Sequence, residues 1–297
     1  MLHKKIFLKI ADIIIALDYS QDLDFSKNKS FKFRNFICQN IKKADINLYI
    51  KEIDVFPKPQ DERRIFKTIH PEDKNINWEL FKNNNGSALR CFSRDRKMLL
   101  FIDKHFLSLK LLISKKKQCV DLDDIFDALQ VALIEYLSQR KGVLIHSAGL
   151  IDCNKKGKLF IGQTRFGKST TARIWAKNSK AMILNDDRII VRKINKEFFM
   201  YPTPWHGDFY EYLFSKQNKS RLDKIFFIRH NKKNNCERVL LNTGFNMFYP
   251  NTFPPFWNRQ GLSNTVILLE DILKSVPAYN LGFVADKSII EFTRAIN

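Results

Sequence analysis

Gly162-Gln163-Thr164-Arg165-Phe166-Gly167-Lys168-Ser169 decides how this chain is read. The stretch has the form G-x-x-x-x-G-K-S. A short apolar run, Leu159-Phe160-Ile161, precedes it, and an amphipathic segment, Thr170 to Ala176, follows. Strand, glycine loop and helix in that order are the setting in which the pattern means phosphate binding. Backbone N–H groups of the loop and of the helix start converge on one spot and carry partial positive charge, which favours an anion. In that setting Lys168 reaches the terminal phosphates and the Ser169 hydroxyl ligates Mg²⁺. Residues 162–170, Thr170 included, are the expected nucleotide-binding segment.

Working outward, a phosphate loop needs an acidic partner. Asp186 and Asp187 lie 18 and 19 residues after Lys168, at the end of the apolar run Ala181-Met182-Ile183-Leu184. Helix and strand consume about that many residues, so the pair is expected at the same end of the sheet as the loop. One carboxylate of the pair would hold the metal, and the other would orient or deprotonate an attacking hydroxyl. His146 ends the apolar run Val143-Leu144-Ile145; it reads either as a core residue or as a group that relays a proton or orients Asp186. Thr203-Pro204-Trp205-His206-Gly207 reads as a tight turn or a substrate loop, with His206 a candidate acid–base group.

The rest of the chain sets the frame. Its 297 residues, 44% hydrophobic, suffice for one large or two modest domains. Residues 1–120 look strand-rich: Ile46, Leu48 and Ile50 alternate with polar neighbours, as do Leu107, Leu109, Leu111 and Ile113, and Met98 to Ile102 is a further apolar run. Ile10 to Leu17, interrupted by Asp12, reads as one buried strand rather than a signal peptide. From Asp121 the period becomes helical through Leu137, so the boundary between a smaller N-terminal domain (1–120) and a second domain (121–297) is placed there. Beyond the loop helix the expectations are a hairpin turning at Asn195-Lys196, a strand over 223–228, a helix over 261–273, a strand over 279–284, and a last helix capped by Asp286.

The net charge of +20 suggests nucleic acid at first sight, but the lysines are scattered and no basic stripe is interleaved with aromatics, so a nucleic-acid partner is not expected. Five cysteines without C-x-x-C spacing argue against a disulfide frame or a zinc site and fit a cytoplasmic protein. No run approaches the ~20 apolar residues of a membrane span.

Several segments together resemble the HPr kinase/phosphorylase superfamily, specifically its HPr-kinase-like branch. They are Ile145-His146-Ser147-Ala148-Gly149, the glycine loop, Lys168-Ser169-Thr170-Thr171, Arg173-Ile174-Trp175, Ile183 to Arg188, Thr203 to Gly207 and, more weakly, Val276 to Phe283. The resemblance covers roughly residues 141–285 in order and spacing. It implies an α/β (α+β) architecture: a C-terminal P-loop domain related to that of phosphoenolpyruvate carboxykinase, with a mixed sheet, after a smaller strand-rich domain that lies outside the resemblance. It implies ATP and Mg²⁺, and transfer of the γ-phosphate to a serine hydroxyl of a protein or peptide, a modified precursor peptide among the candidates. It also points to assemblies of several copies. His146 and Asp186 match the family's histidine and catalytic aspartate, and Lys168 and Ser169 its loop lysine and metal-binding hydroxyl. Arg165 stands where the family often has glycine, and its side chain is expected to point outward. An ATP-binding accessory protein without transfer chemistry, or a carboxykinase-like enzyme acting on a small molecule, are the alternatives.

Overall fold

The structure, a computed structural model, describes residues 3–20, 33–39, 41–57, 63–69, 76–83, 86–93, 96–115, 125–207 and 219–296. It is mixed α/β, with two mixed sheets. The chain divides into two compact units, Met1–Tyr136 and Leu137–Asn297. The division falls inside helix α1 (Phe126–Ser138), whereas the sequence reading puts the boundary just before that helix. Asp121, Asp123 and Asp124, expected at the start of the helix, lie outside the described residues, as do Cys119 and His70.

The first unit carries nine strands among the described residues. They are β1 (His3–Ile10), β2 (Ile13–Ser20), β3 (Ile37–Cys38), β4 (Ile46–Ile53), β5 (Arg63–Ile69), β6 (Ile76–Asn83), β7 (Gly86–Ser93), β8 (Arg96–Asp103) and β9 (Ser108–Ser114). They form one sheet in the order β3-β1-β2-β4-β9-β8-β7-β6-β5. Strands β5 to β9 make an antiparallel meander, while β4 lies parallel to both β2 and β9. The alternation read in β4 appears as burial: Ile46, Leu48 and Ile50 are buried, Tyr49 and Lys51 exposed. One expectation is corrected. The run Ile10 to Leu17 is not a single strand but a hairpin, with Ile10 paired to Ile13. Ala11 and Asp12 both take left-handed backbone angles, φ +53° and +59°, the geometry of a two-residue type I′ turn.

The second unit contains β10 (Gly142–Ile151), β11 (Gly157–Ile161), α2 (Lys168–Asn178), β12 (Met182–Asn185), β13 (Arg188–Ile194), β14 (Glu197–Tyr201) and β15 (Ser220–His230). After these come β16 (Asn235–Arg238), α3 (Leu241–Phe248), α4 (Arg259–Ser275), β17 (Ala278–Phe283) and α5 (Ser288–Ala295). The expected cap of α5 is corrected by one residue: Lys287 is the N-cap and makes no side-chain cap bond, while Asp286, just before it, accepts from the Ser288 amide at 2.8 Å.

Strand β10 organises this unit. Its first half, 142–146, pairs with β13; its second half pairs with β11 on one edge and β12 on the other. Strands β12 and β13 follow each other along β10, and Asp186-Asp187 is the break between them. The pairings β10-β13-β14-β15-β11-β10 close on themselves. Beyond this ring the sheet continues through parallel β17 to antiparallel β16.

Two apolar clusters fix the strands. Leu159 and Ile161 face one, with Ile225, Phe227, Leu268, Leu269 and Ile272; Phe160 faces the other, with Trp175, Phe226, Leu281 and Ile289. Because β11 is buried on both faces, it reads as a continuous apolar run rather than an alternating one. Each fully buried side chain of this size contributes about 1.5–3 kcal/mol. That holds the end of β11, and so the start of the glycine loop, in a fixed place. No helix among the described residues is long and apolar enough to cross a membrane.

Candidate functional site

β11 ends at Ile161 and α2 begins at Lys168, so the glycine loop is the whole connection between them. Gly167 precedes the helix with φ +100°, a conformation open to glycine and costly to other residues. A Cβ there would also lie 2.6 Å from Phe283 Cζ. Gly167 has no side chain with which to cap, so the first amides of α2 stay available to an anion. The helix proper starts with the Thr171 amide donating to Gly167 O at 2.8 Å.

Arg165 is exposed, as expected for a side chain that must leave the cradle clear. Its φ of +71° explains why glycine suits this position: the backbone is left-handed whatever residue occupies it. Phe166 is 40% exposed beside it. Lys168 is buried, and its Nζ donates to Gly162 O at 2.7 Å and Gln163 O at 3.1 Å, so the ammonium lies back across its own loop. Burial pushes the Lys168 pKa below the usual lysine range, with Asp187 and Asp186 pulling the other way.

The acidic pair reaches the same end of the sheet by way of β10. β11 and β12 are both antiparallel to β10 and therefore run in the same direction, and their ends register with Ser147 and Gly149. The Ser147 amide donates to Asp187 O at 2.9 Å. His146 Nε2 lies 3.1 Å from Asp187 Oδ1, so the imidazole bonds to Asp187 and not to Asp186, its expected partner. Arg188 Nε sits 3.4 Å from the other oxygen of Asp187. Burial acts to raise the Asp187 pKa, but the His146 hydrogen bond and the charges of Arg188, His146 and Lys168 outweigh it and hold the carboxyl below its ordinary value. Asp186 is buried: its Oδ1 accepts from the Gly207 amide at 2.9 Å, and its Oδ2 has no hydrogen-bond partner among the described residues. A Cβ on Gly207 would lie 2.9 Å from that oxygen, so only glycine lets the 203–207 segment approach so closely.

Asn185 joins these parts, and sequence reasoning gave it no role. It is fully buried. Its Oδ1 accepts from the amides of Asp187 (2.8 Å) and Arg188 (3.1 Å), and its Nδ2 donates to Thr203 O (2.9 Å), Thr203 Oγ1 (3.2 Å) and Trp205 O (3.2 Å). Amides at one end and carbonyls at the other settle which way the side-chain amide points. Thr203 Oγ1 closes the arrangement by donating to Arg188 O at 2.7 Å. The only sequence signal was a polar residue closing an apolar strand just before two carboxylates.

A cavity of about 270 Å³ results. It is lined by His146, Thr164, Arg165, Gly167, Lys168, Ser169, Thr170, Asp186, Asp187 and Gly207. Gly162, Gln163 and Phe166 belong to the loop but do not line the cavity. His206 is not on the wall either; its Nδ1 is 2.8 Å from Gly207 O, and Trp205 is buried. Among the described residues no three His, Cys, Asp or Glu side chains converge into a metal cage. The hard oxygens of Ser169 and of an ionised Asp187 line the same cavity and nevertheless suit Mg²⁺, which takes one or two protein oxygens and completes its shell with water and phosphate. No protein-family model matches the chain, and no curated protein matches it.

Proposed function

We propose that the second unit is an ATP- and Mg²⁺-dependent kinase that transfers the γ-phosphate to a serine-type hydroxyl of a protein or peptide, in an HPr-kinase-like manner. The observation that carries this reading is the single cavity walled on one side by the glycine loop with Lys168 and Ser169, and on the other by Asp186, Asp187 and His146. In this reading the loop amides, the α2 start and Lys168 hold the phosphates. Ser169 and Asp187 would hold Mg²⁺, which would supply charge neutralisation for the phosphates, and His146 keeps Asp187 oriented. Asp186, anchored by the Gly207 amide, takes the proton of the acceptor hydroxyl through its unpartnered Oδ2. The acceptor oxygen then bonds to the γ-phosphorus as the bond to the bridging oxygen breaks and ADP leaves. Positioning and charge stabilisation supply most of the rate. A cytoplasmic setting, where ATP is plentiful, fits this activity and the five cysteines.

Incubation with γ-labelled ATP and serine-containing peptides tests the proposal. Asp186→Asn is expected to keep ATP binding and lose transfer, and Lys168→Ala to lose both. Undiminished transfer by Asp186→Asn would sink the base assignment. Arg165, which lines the cavity where the resembled family often has glycine, favours one rival, an accessory protein that binds ATP without transferring phosphate. Tight ATP binding by the unaltered protein with no labelled acceptor would support that rival.

A further inference from the structure

At the other end of the parallel strands lies a second cavity, larger than the first at about 420 Å³. It opens where β11, β15 and β17 begin, a strand length of roughly 13 Å from the glycine loop that follows β11. No residue is common to the walls of the two cavities. Five cations line the second one, Lys156, Lys158, Arg221, Lys224 and Arg294, against a single carboxylate, Asp223.

Behind the wall a further carboxylate, Asp152, is already saturated. Its Oδ2 is 2.8 Å from Lys158 Nζ and 3.0 Å from Arg294 Nε, while its Oδ1 accepts from Arg294 Nη2 at 2.7 Å and from the Cys153 amide at 2.8 Å. Lys158 is 3% exposed, and both it and Arg294 lie over the ring of Trp175, at 5.1 and 5.3 Å. These two cations are thus fixed in place before any ligand arrives. Lys224 donates to Ile296 O, and neither it nor Lys156 has a carboxylate within ion-pair distance among the described residues. Burial lowers the Lys224 pKa; Asp223 opposes that, while Lys156 and Lys158 add to it. Arg221 is paired with Glu197 at 3.2 Å, so the repulsion on this wall is that of Lys156 and Lys158 against Lys224, which a bound anion would relieve.

We propose that this cavity is a second anion site, independent of the glycine loop, that takes a small phosphate-bearing molecule. Its size suits a small ligand. Lys156 and Lys224 supply ammonium groups that have no carboxylate partner among the described residues, with Lys158 and Arg221 as charged neighbours and the Ser275 hydroxyl as a neutral partner on the same wall.

Calorimetric titration with inorganic pyrophosphate tests this. A Lys168→Ala protein, with its glycine loop disabled, is expected to retain one pyrophosphate site. In that background Lys156→Ala or Lys224→Gln is expected to weaken binding at least tenfold, and Lys224→Arg to restore it. Lys156 is exposed, so its removal leaves the melting temperature in place and separates lost binding from lost folding. Absence of a site in Lys168→Ala protein that melts like the parent overturns the proposal, as does binding indifferent to Lys156→Ala and Lys224→Gln. If Lys168→Ala does not fold, the lysine variants made alone decide: loss of one pyrophosphate per chain supports the second site, and an unchanged titration overturns it. A pyrophosphate site that disappears only with Lys168 reports on the glycine loop, so the two readings fail separately.

Discussion

Replacing Asn185 with alanine puts the architecture of the site to its sharpest test. The side chain is fully buried and makes five hydrogen bonds, all within the turn that carries Asp186 and Asp187 or the segment facing it. Alanine would strand two amides, those of Asp187 and Arg188, and withdraw the donor from the carbonyls of Thr203 and Trp205. A buried group left without a partner costs about 1–3 kcal/mol, and the carbonyls have a second lone pair with which to adapt, so the two amides dominate and about 3 kcal/mol is expected. For a unit of this size each kcal/mol moves the melting temperature by about 2–4 °C, so a fall of about 6–12 °C is expected in differential scanning calorimetry. Asn185→Asp refines the test. It keeps an acceptor for the two amides but turns a carboxylate toward two carbonyls. That arrangement favours the neutral acid and raises the folded-state pKa of the new carboxyl above its unfolded value. The loss relative to the parent is then largest above that raised pKa and shrinks as the pH falls through it. A melting temperature for Asn185→Ala within 2 °C of the parent would refute the reasoning, because it would mean that the carboxylate turn stands without its anchor.

Two further outcomes follow from the same geometry. Gly167→Ala forces a side chain into φ +100° and against Phe283; ATP affinity measured by calorimetry is expected to fall at least tenfold, and unchanged affinity would mean that the loop does not need this conformation. Burial acts to raise the Asp152 pKa, but Arg294, Lys158 and the Cys153 amide together hold the carboxyl well below the usual carboxylate range. Its contribution is therefore complete above the unfolded value of about 4 and declines as the pH falls below it. Asp152→Asn is accordingly expected to lower the urea midpoint clearly at pH 7, by leaving buried Lys158 without its counter-charge, and the gap to the parent should narrow below about pH 4. A gap that stays constant from pH 7 to pH 3 would contradict this.

Local chemistry explains which parts were legible in the sequence. The glycine loop was readable because strand, turn and helix signals sit side by side in 159–176, and β13–β14 because the turn residues Asn195-Lys196 separate two apolar runs. The hairpin of β1 and β2 was missed because its left-handed turn uses Ala11 and Asp12, without the glycine that would have announced it. His146 could be placed beside the acidic pair, but choosing between Asp186 and Asp187 depends on the register of β10 against β13, which no local pattern encodes. Asn185 was illegible for a related reason: its partners Thr203 and Trp205 lie 18 and 20 residues downstream, and only the folded chain brings them to it.

Strand β10 has a consequence for how the molecule breathes. Its second half is paired on both edges, and its first half is held by β13 and by the contacts of Leu144 and Ile145 with Phe253 and Thr252. Backbone amides there are released only when several strands part together, so their exchange with solvent deuterium should be among the slowest in the chain. Asp186 and Asp187 hang from that slow frame, whereas the middle of the glycine loop, Gln163 to Phe166, is exposed. Opening and closing around a ligand would then fall to the loop, with the carboxylates as the stationary wall against which it moves.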